Sequence, residues 1–280
     1  MDPYFPLTDV QIERVSETRK VDNPSYENSW MAINESEFYL EVDQIATFYA
    51  CNGNYIEFTP FDGAALASIE LYLNGSVYGA ILHQRKVLPL HGSSFVYKNI
   101  GVMICGDSGA GKSSLTVSFC DDGADFLTDD VSPVIFEEGV PHVISKSDRV
   151  KLWGDSLRQL QKENKRLSQI RPQDKKYYVS ISNSKYLQYP LKIIFIIETS
   201  DLDHVEFEPV KGTASFPAIH DQIYRLYYLH AMPVTLHSYF LEVSSISNHC
   251  ILVKVKRPLN IPIDSMKAEL EKYISSLSDT

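Results

Sequence analysis

Lys112 and Ser113 close the run Gly106–Ser113, which reads GDSGAGKS, and the chain then reaches Thr128-Asp129-Asp130. The run fits G-x-x-x-x-G-K-[ST] position by position at Gly106, Gly111, Lys112 and Ser113. Such a loop binds phosphate because glycines let consecutive backbone N–H groups turn inward around an anion. Gly109 adds freedom at the middle of the loop. A helix opening at Lys112 would contribute its partial positive N-terminus. Lys112 would then reach the β- and γ-phosphates of a nucleotide, and the Ser113 hydroxyl would serve a Mg²⁺ ion. ATP and Mg²⁺ are therefore the expected cofactors. Residues Gly106, Asp107, Ser108, Gly109, Ala110, Gly111, Lys112, Ser113 and Ser114 form the expected nucleotide site.

Mg²⁺ prefers hard oxygen ligands, and an aspartate at a strand's C-terminal end can supply one opposite the loop serine. Asp129 and Asp130 stand in that position. On a straight strand they would point to opposite faces, so a bend after Leu127 is needed to aim both into one site. His91, in PLHGSS, falls on a strand expected to neighbour the loop strand. Alone, that histidine reads more readily as a satisfied packing residue than as a functional one.

The elements that must hold these residues follow from pattern. Residues 36–60 alternate in short runs with a turn at Asn52-Gly53-Asn54, a β-meander. Leu66, Ile69, Leu73, Val77 and Ile81 step by three or four, giving a helix or a broken pair capped by Asp62 and weakened by Gly75 and Gly79. VLPLHGSSFVY and Val102–Cys105 are strands joined by a turn at Asn99-Ile100-Gly101. Lys112–Cys120 is a helix, Phe126-Leu127 a short strand, and PVIFEEGVPHVI a hairpin turning at Glu138-Gly139. Residues 153–170 are expected to be a polar helix and 171–190 irregular surface. Leu191–Glu198 is a buried strand; His204–Pro209 and Ile251–Lys256 are half-exposed ones. IDSMKAELEKYISSL is a closing amphipathic helix capped by Asp264. Many strands around few helices predict an α/β fold tending to α+β, with a mixed sheet.

The 280 residues allow one large domain or one with a small companion, and 44% hydrophobic against 22% charged residues suits a globular chain. A net charge of −10 argues against nucleic acid or an anionic membrane as partner. Lys165-Arg166 and Lys175-Lys176 read as solvated faces. The N-terminus has no apolar signal region, and Ile193–Ile197 is too short to span a bilayer. Cys51, Cys105, Cys120 and Cys250 show no metal-binding spacing and read as reduced core thiols, so a cytoplasmic location is expected.

Together, LHQRKVLPLHGSSFVY, GVMICGDSGAGKSSL and GADFLTDDVSPV resemble the C-terminal catalytic domain of HPr kinase/phosphorylase and the smaller kinases built on it. The resemblance is specific over residues 81–136 and looser through KLWGDSL and LKIIFIIE. It implies a P-loop kinase domain akin to phosphoenolpyruvate carboxykinase over 81–280, preceded by a small β-rich portion with a helix over 1–80. It implies that one aspartate of the pair is the base on an acceptor hydroxyl and the other lies on the metal, with His91 supporting them; the preferred order is Asp129 as base and Asp130, with Ser113, on the metal. Lys112 completes the catalytic set.

The chain departs from the bifunctional bacterial enzyme at Ser114, where that enzyme has glutamate, and lacks its downstream glycine-rich signature. HPr as substrate and reversal by phosphate are therefore not carried over. Smaller relatives that phosphorylate a peptide serine are the nearer comparison. The expected partner is a peptide, protein or metabolite bearing an acceptor hydroxyl. HPr kinase is a hexamer, so a homo-oligomer is compatible, although no motif fixes one. Arg85 and Arg225 could stabilise transition-state charge, but each reads more simply as a structural ion-pair residue. A carboxykinase-like or hydrolytic enzyme and a non-catalytic nucleotide sensor are the competing readings.

Overall fold

Leu191 to Ile197 is buried at every position but Lys192, so it must lie inside a sheet covered on both faces. The computed structural model describes residues 3–146, 148–162, 167, 169–170, 175–181 and 185–278, which form two units. One comprises Met1–Pro89, Pro133–Ile135 and Ile223–Ser244; the other comprises Leu90–Ser132, Phe136–Gln222 and Ser245–Thr280. The units interleave along the chain, where the sequence suggests a single division after residue 80. Lys165 and Arg166 lie outside the described residues.

The first unit holds a six-stranded sheet in the order β1 (Gln11–Arg14), β6 (Tyr55–Pro60), β5 (Ala46–Cys51), β4 (Glu37–Val42), β3 (Met31–Ile33) and β2 (Tyr26–Glu27). β4 to β6 are the expected meander, and Asn52 and Gly53 turn it with φ of 52° and 69°. α1 (Leu66–Tyr72), a π turn at Leu73–Val77 and α2 (Tyr78–Gln84) follow without a gap, so the helical run is continuous, with its irregularity at Gly75 and with Gly79 inside α2. Asp62 does not cap it. Ala65 holds the N-cap position with no side-chain bond, because Phe61–Ala64 is spent on a separate turn closed by Ala64 N–H to the Phe61 carbonyl.

The second unit is organised by the buried strand. β10 (Asp125–Thr128), β8 (Gly92–Tyr97), β9 (Ile100–Gly106) and β15 (Gln188–Ser200) are successive neighbours, and β17 (Ile251–Pro258) and β16 (Glu206–Val210) continue beyond β15. β9, β15 and β17 run parallel, while β8, β10 and β16 pair antiparallel with their neighbours, so the sheet is mixed and the protein is of mixed α/β class. α3 (Lys112–Asp121) and α7 (Ile263–Ser278) share one core with the sheet: Leu115, Phe119, Met266, Leu270 and Ile274 meet Phe95, Ile104, Phe195 and Val253. Asp264 lies within the first turn of α7 rather than at its cap, since the helix already starts at Ile263.

Remaining strands are β7 (Leu88–Leu90), β11 (Ser132–Glu137), β12 (Val140–Ile144), β13 (Arg149–Trp153) and β14 (Lys176–Ser180). VLPLHGSSFVY is thus two strands broken at His91, and the turn before β9 is centred on Lys98-Asn99, both at positive φ. The turn at Glu138-Gly139 is as expected, with φ of 50° and 82°.

Two further expectations fail. Within 153–170 only α4 (Gly154–Gln159) is helical among the described residues, and 171–190 is not all irregular, because β14 pairs with β13 and β15 begins at Gln188. Leu157 is the only residue of α4 that is buried, too little apolar surface to extend a helix. The other α-helices among the described residues are α5 (Ser215–His220) and α6 (Pro233–His249), with 3₁₀ turns at Gly212–Ala214 and Leu226–Ala231.

Candidate active site

Gly106 ends β9 at the point where it pairs with Ile197 of β15. A Cβ there would lie 2.3 Å from the Ile197 carbonyl oxygen, and φ is 127°, so only glycine permits the chain to leave the sheet at this place. Gly111, at φ 101°, is the left-handed N-cap of α3. The loop so formed delivers Lys112 to its own mouth: Nζ donates to the carbonyls of Gly106 at 2.7 Å and Asp107 at 3.1 Å. Burial pulls the ammonium's pKa down, and the nearby Asp130 and Asp129 carboxylates oppose that pull.

Across from the loop the register of β10 slips between Phe126 and Thr128. Two residues on, Val131 N–H donates to the Asp129 carbonyl at 2.9 Å, with Asp130 between them at φ 71°. That is a γ-turn of positive φ, a strained conformation for any residue with a side chain. The turn solves the problem posed by adjacent aspartates on a strand. Both side chains face the site, each with its own partners.

Ser113 Oγ donates to Asp129 Oδ1 at 2.7 Å. The preferred sequence order put Asp130 beside Ser113; the structure puts Asp129 there, because the γ-turn swings Asp130 toward other neighbours. Asp130 Oδ2 accepts from Lys151 Nζ at 2.7 Å, and its Oδ1 lies 3.6 Å from His91 Nε2. His91 thus lies against Asp130 of the pair. Its backbone N–H donates to the Gln222 carbonyl at 2.7 Å, which fixes the break between β7 and β8.

The two carboxyls differ in acidity for physical reasons. Burial and the adjacent Asp130 charge push Asp129 upward, against the Lys151 N–H and Ser113 hydroxyl that donate to it. Burial would raise Asp130 too, but Lys151 and His91 outweigh it and hold this carboxyl well below the usual range.

Lys151 was not among the candidates, and it binds both aspartates, one through its backbone N–H and one through its ammonium. Val150 and Leu152 on either side are buried in a cluster with Val117, Phe126, Leu157 and Val179. Strand alternation then turns Lys151 the other way, onto the aspartates. KLW contains that alternation, but three residues are too few to reveal it. Lys176, opposite Trp153 in the β13–β14 pair, adds positive charge near Asp130, with its Nζ 5.2 Å from the Trp153 ring centroid.

Arg257 was also missed. From β17 its Nε donates to the Ala110 carbonyl at 3.0 Å and its Nη2 to the Gly109 carbonyl at 3.2 Å, while Nη1 donates to the carbonyls of Pro258 and Leu259, both at 3.1 Å. The guanidinium fork therefore ties the Gly106–Ser113 loop to the chain leaving β17. Ser114, the departure noted above, shares a 2.7 Å hydroxyl contact with Ser156 of α4. Arg85 pairs with Asp9 at 3.0 Å and donates to the Gly53 carbonyl; Arg225 donates to Ser76 at 3.0 Å. Both belong to the first unit, and these are structural contacts of that unit.

Mg²⁺ usually takes one or two protein oxygens and completes its shell with phosphate and water. The Ser113 hydroxyl and Asp129 carboxylate, in contact and both hard oxygen donors, fit that requirement. Among the described residues no cluster of three or more His, Cys, Asp or Glu suggests a metal held by protein alone. Nor is any described helix long and apolar enough to cross a membrane.

No protein-family model matches the chain, and no curated protein does. Among solved structures it is similar to the HPr(Ser) kinase/phosphatase from Coxiella burnetii, at 13% identity and a TM-score of 0.36, over 68% of this chain and 98% of that one.

Proposed function

We propose that this protein is an ATP- and Mg²⁺-dependent kinase that transfers the γ-phosphate to a hydroxyl, with serine of a peptide or protein, or a small metabolite, as the acceptor class. The observation that carries the reading is the contact of Ser113 with Asp129 beside an Asp130 held by Lys151 and His91. One carboxylate meets the loop hydroxyl, and a second, independently held, lies beside it.

In this reading Lys112 and the loop N–H groups bind the polyphosphate, and Ser113 with Asp129 would hold Mg²⁺. The ion would neutralise charge on the transferring phosphate. Asp130, its carboxyl held well below the usual range by Lys151 and His91, accepts a hydrogen bond from the acceptor hydroxyl and aims its oxygen in line with the γ-phosphate. Such an acidic carboxyl is a weak base, so its main contribution is orientation, with the proton passing to it late in transfer. Lys151 and His91 keep Asp130 in place.

The test is ADP release with and without a library of hydroxyl-bearing peptides and metabolites, with mass spectrometry for a phosphate adduct. The proposal expects slow release alone, at least ~10-fold faster release with the right acceptor, and an adduct. Rapid acceptor-independent hydrolysis with no adduct would reject it. Lys112→Ala should lose ~10-fold or more of its affinity for Mg·ATP by calorimetry; unchanged affinity would remove the loop from the account.

A further inference from the structure

We propose that the nucleoside of the nucleotide is held in a cleft on the far side of the phosphate loop from the aspartates, walled by the chain between Arg257 and Ile263. This deepens the kinase reading and rests on it. The cleft measures about 530 Å³, a size that takes a nucleoside. Gly109, Ala110, Gly111, Ser114 and Leu115 form one side of it, so it is continuous with the loop, and neither Asp129 nor Asp130 lines it. A nucleotide with its phosphates on the loop then has one end at the aspartates and the other in this cleft.

The opposite wall has the chemistry for a base. Leu259 is 66% exposed, an apolar side chain on the surface that a planar ring would cover. Asn260 beside it is exposed, and its amide has no hydrogen-bond partner among the described residues, leaving both a donor and an acceptor for a base edge. Ile261 and Pro262 continue the apolar surface. Arg257 fixes the distance between the two walls, because one guanidinium donates to Gly109 and Ala110 on one side and to Pro258 and Leu259 on the other.

A larger cleft of about 760 Å³ lies along the same Pro258–Pro262 segment, yet it does not qualify. No residue of the phosphate loop lines it, and three carboxylates do, Asp201, Asp203 and Glu269, against the single Asp155 of the smaller cleft. Continuity with the loop, rather than volume, selects the smaller one.

Calorimetry on the full chain with Mg·ATP and with Mg·tripolyphosphate separates the two halves of the ligand. The wild type should bind ATP ~10-fold or more tightly than tripolyphosphate. Leu259→Gln, neutral and on the surface, should weaken ATP severalfold, and Leu259→Gln with Asn260→Ala by ~10-fold, while tripolyphosphate stays within about twofold in both. Equal affinity of the wild type for the two ligands would overturn the proposal, as would equal weakening of both in the variants. A wild type that binds neither ligand would instead overturn the nucleotide reading beneath it.

Discussion

Asp130 and Glu242 are both half-buried carboxylic acids, one in each unit, and their acidities move in opposite directions. Asp130 has a lysine at 2.7 Å and a histidine at 3.6 Å, and is held well below the usual range. Glu242 on α6 has a buried Oε2 with no hydrogen-bond partner among the described residues, and burial alone pushes it up to about 7. Burial penalises both charges, so the partner decides the sign. A strained turn, an oriented carboxylate and a dedicated cation around Asp130 mark a position built for charge. Glu242 has none of these and reads as a cost to its own unit.

The largest effect should come from removing the partnered charge. Asp130→Asn keeps size and tolerates positive φ, so the fold should survive while phosphoryl transfer falls ~10²–10³-fold at unchanged ATP affinity. Single-turnover assays beside calorimetry would check this, and full activity would make the aspartate structural. Lys151→Met sharpens the contrast by making Asp130 resemble Glu242. Transfer should fall ~10-fold and stability by about 1–3 kcal/mol, with Lys151→Arg restoring part of both. A variant with wild-type kinetics would show that the lysine positions nothing.

The smallest effect is thermodynamic and falls on Glu242. Its ordinary pKa of 4.5 rises to about 7 on folding, so below 4.5 it is protonated in both states and costs nothing. Between the two values the unfolded chain gives up its proton first, and stability falls as pH rises; above 7 the loss is complete. Glu242→Gln should therefore gain about 1–2 kcal/mol over wild type at pH 8, after allowance for solvent screening, and gain nothing of this kind at pH 4. Urea melts at the two pH values measure it, and a pH-independent difference would contradict the assignment.

The same contrast explains what was legible in the sequence. The turn of the Gly106–Ser113 loop could be read directly, because positive φ at Gly106, Gly109 and Gly111 is a local demand that leaves glycines behind. The aspartate pair could be read as chemistry but not as geometry. Which carboxylate meets Ser113 depends on the γ-turn at Asp130, and nothing in TDD specifies it. Lys151 and Arg257 were hidden for a different reason: each reaches the site from a strand distant in sequence, and register, not local pattern, aims it. The mixed sheet was legible because Ile193–Ile197 has apolar residues for both faces. α6 was not, since exposed Val234, Leu236, Phe240 and Leu241 and buried Tyr239, Val243 and Ile246 leave it without a single apolar stripe.

The division of labour between the aspartates is the central claim, and Mg²⁺ dependence of nucleotide binding tests it most directly. ATP affinity should be measured by calorimetry with Mg²⁺ and with EDTA for wild type, Asp129→Asn and Asp130→Asn. The account predicts that Asp129→Asn loses most of the Mg²⁺ enhancement while Asp130→Asn keeps it. Loss of the enhancement in Asp130→Asn, with Asp129→Asn unaffected, would contradict it.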